Sequence, residues 1–98
     1  MADPSDLMKA MRGDKNLMDA DLRDADLRHA DLRRAIMMAA DLSGANLSGV
    51  NLSGANLSGA NLSGADLSDA ILSGADLSGA NLEGTKMPEG WEFIVRAR

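Results

Sequence analysis

Large apolar side chains recur at every fifth position through most of the chain. Thirteen such positions run from residue 22 to residue 82, and leucine fills all of them except Met37. Five residues of an α-helix advance about 500°, so this series would wander around a helix and form no stripe. On a β-strand, an odd period places successive leucines on opposite faces. The pattern therefore predicts a bend in every repeat, so that the chain coils with its leucines turned inward.

The other positions of the repeat agree with an inward leucine. Alanine stands two residues before it, with Val50 as the one exception between residues 20 and 80. We expect the coil to widen slightly there or Leu52 to shift. Asp or Asn usually precedes the leucine, Ser or Arg usually follows it, and both positions should point outward. Glycine comes two residues after the leucine in eight repeats, where it permits the positive φ of a type II turn. The coil over residues 20–39 lacks this glycine altogether, and we expect a different turn geometry at its corners: Asp24, His29, Arg34 and Ala39.

A fixed period repeated this often is typical of a solenoid. Units of the form A-[DN]-L-[SR]-x cover residues 20–84. They resemble the pentapeptide-repeat family, and in particular a small cyanobacterial member of unknown function. The resemblance implies an all-β solenoid, a right-handed quadrilateral β-helix in which four repeats form one coil. Residues twenty positions apart would then stack, and one inward column would consist of Leu22, Leu42, Leu62 and Leu82. Ile36 and Ile71 would point outward on adjacent walls.

Both ends of the chain depart from the repeat. Residues 1–14 are predicted to form an N-terminal cap, because Pro4 and Gly13 suit the start and stop of a short helix over residues 4–12. The alternative is that residues 5–19 form irregular repeats. The pentapeptide-repeat coil is assigned to residues 15–87.

Residues 88–98 form an apolar C-terminal tail that holds both aromatic residues of the chain. The end of a solenoid exposes apolar side chains and unpaired backbone groups, so something must cover it. The candidate end cap or interface consists of Trp91, Phe93, Ile94 and Val95. These residues would either fold over the last coil or join two copies, as a homodimer or an end-to-end stack.

The composition offers little material for catalysis. The chain has 98 residues, one histidine and no cysteine, so Ser-His and Cys-His nucleophile systems and the common metal sites are not supported. Outward serines and carboxylates lack the burial that tunes catalytic groups. We therefore expect no enzymatic activity, no catalytic residues, no cofactor and no metal site. No segment resembles a secretory signal or a membrane span, which favours a cytoplasmic protein.

Charge is distributed unevenly along the chain, whose formal net charge is −5. Residues 20–39 carry four arginines and four aspartates. This balance predicts a wall of salt bridges, and a phosphate-binding patch is the alternative. Residues 40–84 hold neither lysine nor arginine and carry five carboxylates: Asp41, Asp66, Asp69, Asp76 and Glu83.

Two classes of function fit these features. The first is a structural or protein-interaction module with an unknown protein partner and no contact with nucleic acid or membrane. The alternative is a DNA mimic that binds DNA gyrase or another DNA-binding protein, because the repeats resemble family members that protect gyrase with an acidic surface. Five carboxylates on three walls do not reproduce a duplex, which has one charge per ~1.7 Å of axis. The first class is therefore favoured.

Overall fold

The backbone of this computed structural model, which describes residues 1–93, pairs with itself at a constant spacing of twenty residues. Ten parallel bridges join residues twenty apart, from Asn16 with Ile36 to Asp66 with Lys86. Each bridge lies immediately before an inward leucine or methionine, so four five-residue repeats make one coil. The principal extents of the molecule are 34 × 23 × 22 Å.

The coils are joined by isolated bridges and not by continuous strands. The regular elements within residues 1–93 are two helical segments, Pro4–Met11 and Trp91–Phe93. Each repeat uses the two residues after its inward side chain for a turn, so only the position before the inward side chain forms a β-bridge with the neighbouring coils. The extended strands expected of an all-β solenoid are therefore not seen in this part of the chain.

Each residue of the pentapeptide has a separate structural task, as the repeat around Leu47 illustrates. The side-chain Oδ1 of Asn46 accepts the backbone N–H of Ser48 at 3.1 Å and its hydroxyl at 2.9 Å. The carbonyl of Leu47 accepts the N–H of Val50 at 3.1 Å, which closes the turn. Gly49 supplies the required φ of 72°. Asn and Asp recur before the leucine because their short polar side chains satisfy this local turn.

The inward leucines and alanines form one continuous core. Every leucine from Leu17 to Leu77, together with Met37, is at most 2% exposed, and no polar or charged residue is buried in the described part of the chain. In the column that begins with Leu22, the first three leucines are fully buried and Leu82 is half-buried. The inward orientation predicted from the period of five is confirmed.

The prediction of a different turn geometry in the coil without glycine is wrong at all but one corner. Asp24, Arg34 and Ala39 adopt φ values of 59–60°, close to the 68–72° of the corner glycines. Their backbone N–H groups donate to the next coil, as when Arg34 donates to the carbonyl of Ser53 at 2.9 Å. Hydrogen bonding between coils thus holds a conformation that costs a non-glycine residue ~1–2 kcal/mol. His29 is the exception, since it has no positive φ.

Hydrogen bonding between coils is interrupted at one place in the described chain, which we call the seam: residues 29–32 facing residues 48–51. Asp31 and Asn51 form no bridge there. The N–H groups of His29 and Leu32 also lack the hydrogen bonds to the next coil that the equivalent residues of neighbouring repeats make. Val50, larger than the alanine of the other repeats, lies on one side of the seam, and the altered turn of His29 lies on the other. The disturbance near Val50 therefore takes the form of missing backbone hydrogen bonds between two coils.

Helix α1, Pro4–Met11, closes the N-terminal end of the coil. Asp3 caps it by accepting the N–H of Asp6 at 3.0 Å. The N–H of Asp3 donates to the carbonyl of Asp21 at 3.0 Å, and the carboxylate of Asp6 accepts the N–H of Asp21 at 2.8 Å. Ala10 is fully buried against the core. The helix segment therefore satisfies the backbone N–H and carbonyl of Asp21 at the free edge of the first coil.

The coil begins soon after helix α1 ends at Met11. Gly13 adopts a φ of 86° at the exit, and the first bridge of the coil is made by Asn16. The structure is thus helical over most of the predicted 4–12 segment, and a regular repeat surrounds Leu17. The alternative of irregular repeats throughout residues 5–19 does not describe it.

Candidate functional site: the end and walls of the coil

The C-terminal end of the coil contains the residues that the sequence predicts to be a cap or interface. A short 3-10 helix, Trp91–Phe93, follows Gly90, whose φ is 75°. The N–H of Trp91 donates to the carbonyl of Pro88 at 3.3 Å. The Trp91 side chain is half-buried and packs against the core, as do Leu82 and Met87.

The structure describes only part of the predicted end site. The structure brings Trp91 onto the coil. The side chain of Phe93 is not described, and Ile94 and Val95 lie outside the described residues.

The two ends of the coil differ in how their backbone groups are satisfied. At the N-terminal end, Asp3 and Asp6 bond the free edge at Asp21. At the C-terminal end, the N–H groups of Leu82 and Gly84 have no acceptor in a following coil within residues 1–93. Within residues 1–93, the C-terminal end therefore combines unpaired backbone donors with half-buried apolar side chains.

One wall carries an exposed apolar strip, formed by Met18, Ile36 and Met38. These side chains are 38–50% exposed. Asn16 pairs with Ile36, and the N–H of Asp19 donates to the carbonyl of Met38 at 3.0 Å, so the strip spans two neighbouring coils. Sequence reasoning missed it, although methionine at two outward positions twenty residues apart was the available signal.

A row of salt bridges lies along the outside of the first coil, as predicted. Each pair joins an arginine to the aspartate two residues before it, at 2.8–2.9 Å: Arg23 with Asp21, Arg28 with Asp26, and Arg33 with Asp31. Hydrogen bonds from Arg28 hold the pKa of Asp26 well below its ordinary value, and those from Arg33 lower the pKa of Asp31. The pairs are about half exposed, so solvent screens them and each contributes little to stability.

In the described part of the chain, no three His, Cys, Asp or Glu side chains are grouped closely enough to hold a metal ion. None of the helices within residues 1–93 has the length and apolar character needed to cross a bilayer.

The stretch that forms the coil matches the family model for pentapeptide repeats over residues 16–54 and 51–87. The chain belongs to the pentapeptide repeat family. This confirms the family predicted from the repeat, and the family implies a right-handed quadrilateral β-helix. No curated protein sequence matches the chain significantly.

Solved structures similar to this chain are also pentapeptide repeat proteins. One from the Arabidopsis thaliana thylakoid lumen is 39% identical over 76% of this chain, with a TM-score of 0.73, and the match spans about half of that protein, 52%. One from Nostoc PCC 7120 is 30% identical over 96% of this chain and 93% of its own length, with a TM-score of 0.50. Rfr23 from Cyanothece 51142 is 38% identical over 85% of this chain and 53% of its own length, with a TM-score of 0.39. Cyanobacterial relatives, which the sequence predicts, are therefore present.

Proposed function

We propose that this chain is a non-enzymatic protein-interaction module, built on a right-handed quadrilateral β-helix, whose contact surface is the C-terminal end of the coil. Residues 1–14 act as the cap, residues 15–87 as the coil and residues 88–98 as the interface tail. The observation that carries the proposal is the difference between the two ends. Helix α1 packs on the first coil and its segment bonds the free edge at Asp21, whereas Leu82, Met87 and Trp91 remain half-buried at the last coil.

The proposed occupant is a second copy of the chain. In a dimer with a two-fold axis, the same surface of each copy forms the interface, so the same tail residues would meet across it. Helix α1 blocks the opposite end, and stacking therefore stops at two copies and does not continue into a filament. Trp91 is suited to such a contact because a half-buried indole still has apolar area to remove from water.

Sedimentation of the intact chain and of a double variant, Trp91→Ala with Phe93→Ala, tests this proposal. A matched control, Met18→Ser with Met38→Ser, removes two exposed apolar side chains from the wall and leaves the end intact. We expect concentration-dependent dimers of the intact chain and of the control, and monomers of the tail variant. A monomeric intact chain at every concentration contradicts the dimer. A still-monomeric tail variant with a lowered melting temperature would then identify Trp91 as a self-cap.

The DNA mimic is the alternative, and the positions of the carboxylates count against it. Asp41, Asp66 and Asp76 pair in three separate bridge columns, with Asn61, Asn46 and Asn56 respectively. Negative charge is thus divided among walls, whereas a duplex presents it continuously. For this reason the proposal includes no binding to gyrase and no direct contact with nucleic acid.

The proposed location is the cytoplasm. The similarity to an Arabidopsis protein of the thylakoid lumen makes that compartment the alternative. Fractionation of source cells, followed by detection of the chain with an antibody, distinguishes the two compartments.

A further inference from the structure

A cleft of about 500 Å³ lies beside the seam and is lined by Lys15, Asp31, Arg33, Arg34 and Ser53. Three of these side chains are cationic and one is a carboxylate, so the lining carries a charge of +2 (three minus one) at neutral pH. The whole chain carries −5. The cleft is therefore a local concentration of positive charge on an acidic protein.

Two of the cations are held in place by contacts within the cleft. The ammonium of Lys15 donates to the backbone carbonyl of Arg33 at 2.7 Å and lies 3.9 Å from a carboxylate oxygen of Asp31. The Nε and Nη2 of Arg33 each donate to Asp31 at 2.9 Å. The Nη1 of Arg33 has no partner within the described residues, so it keeps hydrogens for a ligand.

Arg34 is the cation that no carboxylate neutralises. Its side chain has no hydrogen bond or ion pair within residues 1–93. Its Cγ lies 3.3 Å from the position that a Cβ on Gly54 would occupy, so its stem crosses the glycine that follows Ser53 in the next coil. The absence of a side chain at Gly54 leaves room for this approach. Arg34 thus brings a free guanidinium to a cleft that already holds two oriented cations.

The other arginines of the first coil do not share this arrangement. Arg23 and Arg28 make the same pairing with an aspartate two residues earlier, at 2.8 Å. Neither of those pairs lines a cleft together with two further cations. A solvated wall of salt bridges therefore explains Arg23, Arg28 and the pair of Arg33 with Asp31. It does not explain why Lys15 and Arg34 lie beside that last pair.

We propose that this cleft binds a phosphate dianion, either inorganic phosphate or a small phosphomonoester. A charge of −2 matches the +2 of the lining. The planar guanidinium of Arg34 can donate two parallel hydrogen bonds to phosphate oxygens, the geometry for which arginine is preferred over lysine. Lys15 supplies a second cation, and Ser53, whose hydroxyl donates to Oδ1 of Asn51, also lines the cleft.

The test is a titration of the ¹⁵N-labelled chain, followed by NMR, with sodium phosphate replacing sodium chloride at constant ionic strength. A parallel titration uses phosphoserine as the monoester. We expect saturable shifts of the amide signals of Arg34 and Ser53. Saturation by both ligands, or by phosphate alone, supports a site for the free ion, and saturation by phosphoserine alone supports a site for the ester.

Two variants make the result specific. Arg34→Gly gives this corner the residue found at the equivalent corners of the next two coils, Gly54 and Gly74, so it removes the charge without straining the turn. It should weaken binding by about tenfold or more, since a charge-assisted bidentate contact is lost. Arg28→Ser, which introduces the residue usual at that position, should leave binding unchanged. The absence of saturation with either ligand, or equal weakening in both variants, overturns the proposal.

Discussion

Leu42→Ala should unfold the coil at a much lower denaturant concentration, because Leu42 lies in the middle of a buried column. Its own exposure and those of Leu22 and Leu62, above and below it, are all 0%. The substitution removes three carbon atoms, a transfer free energy of ~2.4 kcal/mol at ~0.8 per carbon. The adjacent inward positions, Ala40 and Ala45, are too small to fill the space, so a cavity remains and adds ~1–2 kcal/mol. We expect a total loss of ~3.5–4.5 kcal/mol.

The assay is urea unfolding followed by far-UV circular dichroism, with Ser63→Ala as the control. Ser63 is an outward residue whose hydroxyl makes no hydrogen bond within the described chain, so the control should change the free energy of unfolding by less than ~0.5 kcal/mol. Fluorescence of Trp91, the only tryptophan, reports the C-terminal end separately, and coincident transitions justify a two-state analysis. Equal losses in the two variants would refute the inward placement of the leucines.

Three further predictions concern the seam, the salt bridges and the acidic residues. Val50→Ala should cost ~1 kcal/mol or less, because relief of crowding offsets lost burial, and should slow amide exchange at Asn51; a loss above ~2.5 kcal/mol would show that the site requires valine. Because the folded chain lowers the pKa of Asp26, the ionised carboxylate stabilises the fold fully at pH values above the ordinary pKa of 3.8. This stabilisation is lost as the pH falls below 3.8 and the carboxylate becomes protonated. Arg28→Ser should therefore reduce the fall in melting temperature at acidic pH, and an unchanged fall would contradict this. The folded chain should not inhibit gyrase supercoiling at micromolar concentration; inhibition that is abolished by neutralising Asp66, Asp69 and Asp76 together would favour DNA mimicry.

Features that depend on one repeat could be predicted from the sequence. The period of five places Leu42 and its equivalents inside, and the small residue two positions earlier follows from the same geometry. The recurrence of Asn or Asp is explained by a hydrogen bond to a residue two positions away, as from Asn46 to Ser48. These contacts are local, so they can be inferred without knowing how the coils stack.

Features that depend on contacts between coils were harder to predict. Arg34 and Ala39 keep a positive φ because the next coil accepts their N–H groups, and that interaction outweighs their steric preference. Lys15 meets Arg33 across eighteen residues. The apolar strip of Met18, Ile36 and Met38 likewise forms only when two coils lie side by side. Each of these features follows from the pairing register, which the residue pattern alone did not provide.

The twenty-residue register is thus the central claim, since the end site, the apolar strip and the cleft all depend on it. The chain has no cysteine, so spin labels can be placed on two introduced cysteines and their dipolar coupling measured. Labels at Ser43→Cys and Ser63→Cys lie in adjacent coils, whose backbones are about 5 Å apart, and should couple strongly. Labels at Ser43→Cys and Ser53→Cys lie on opposite walls of a body 22–23 Å across and should couple weakly. Stronger coupling in the second pair than in the first would contradict the register of four repeats per coil.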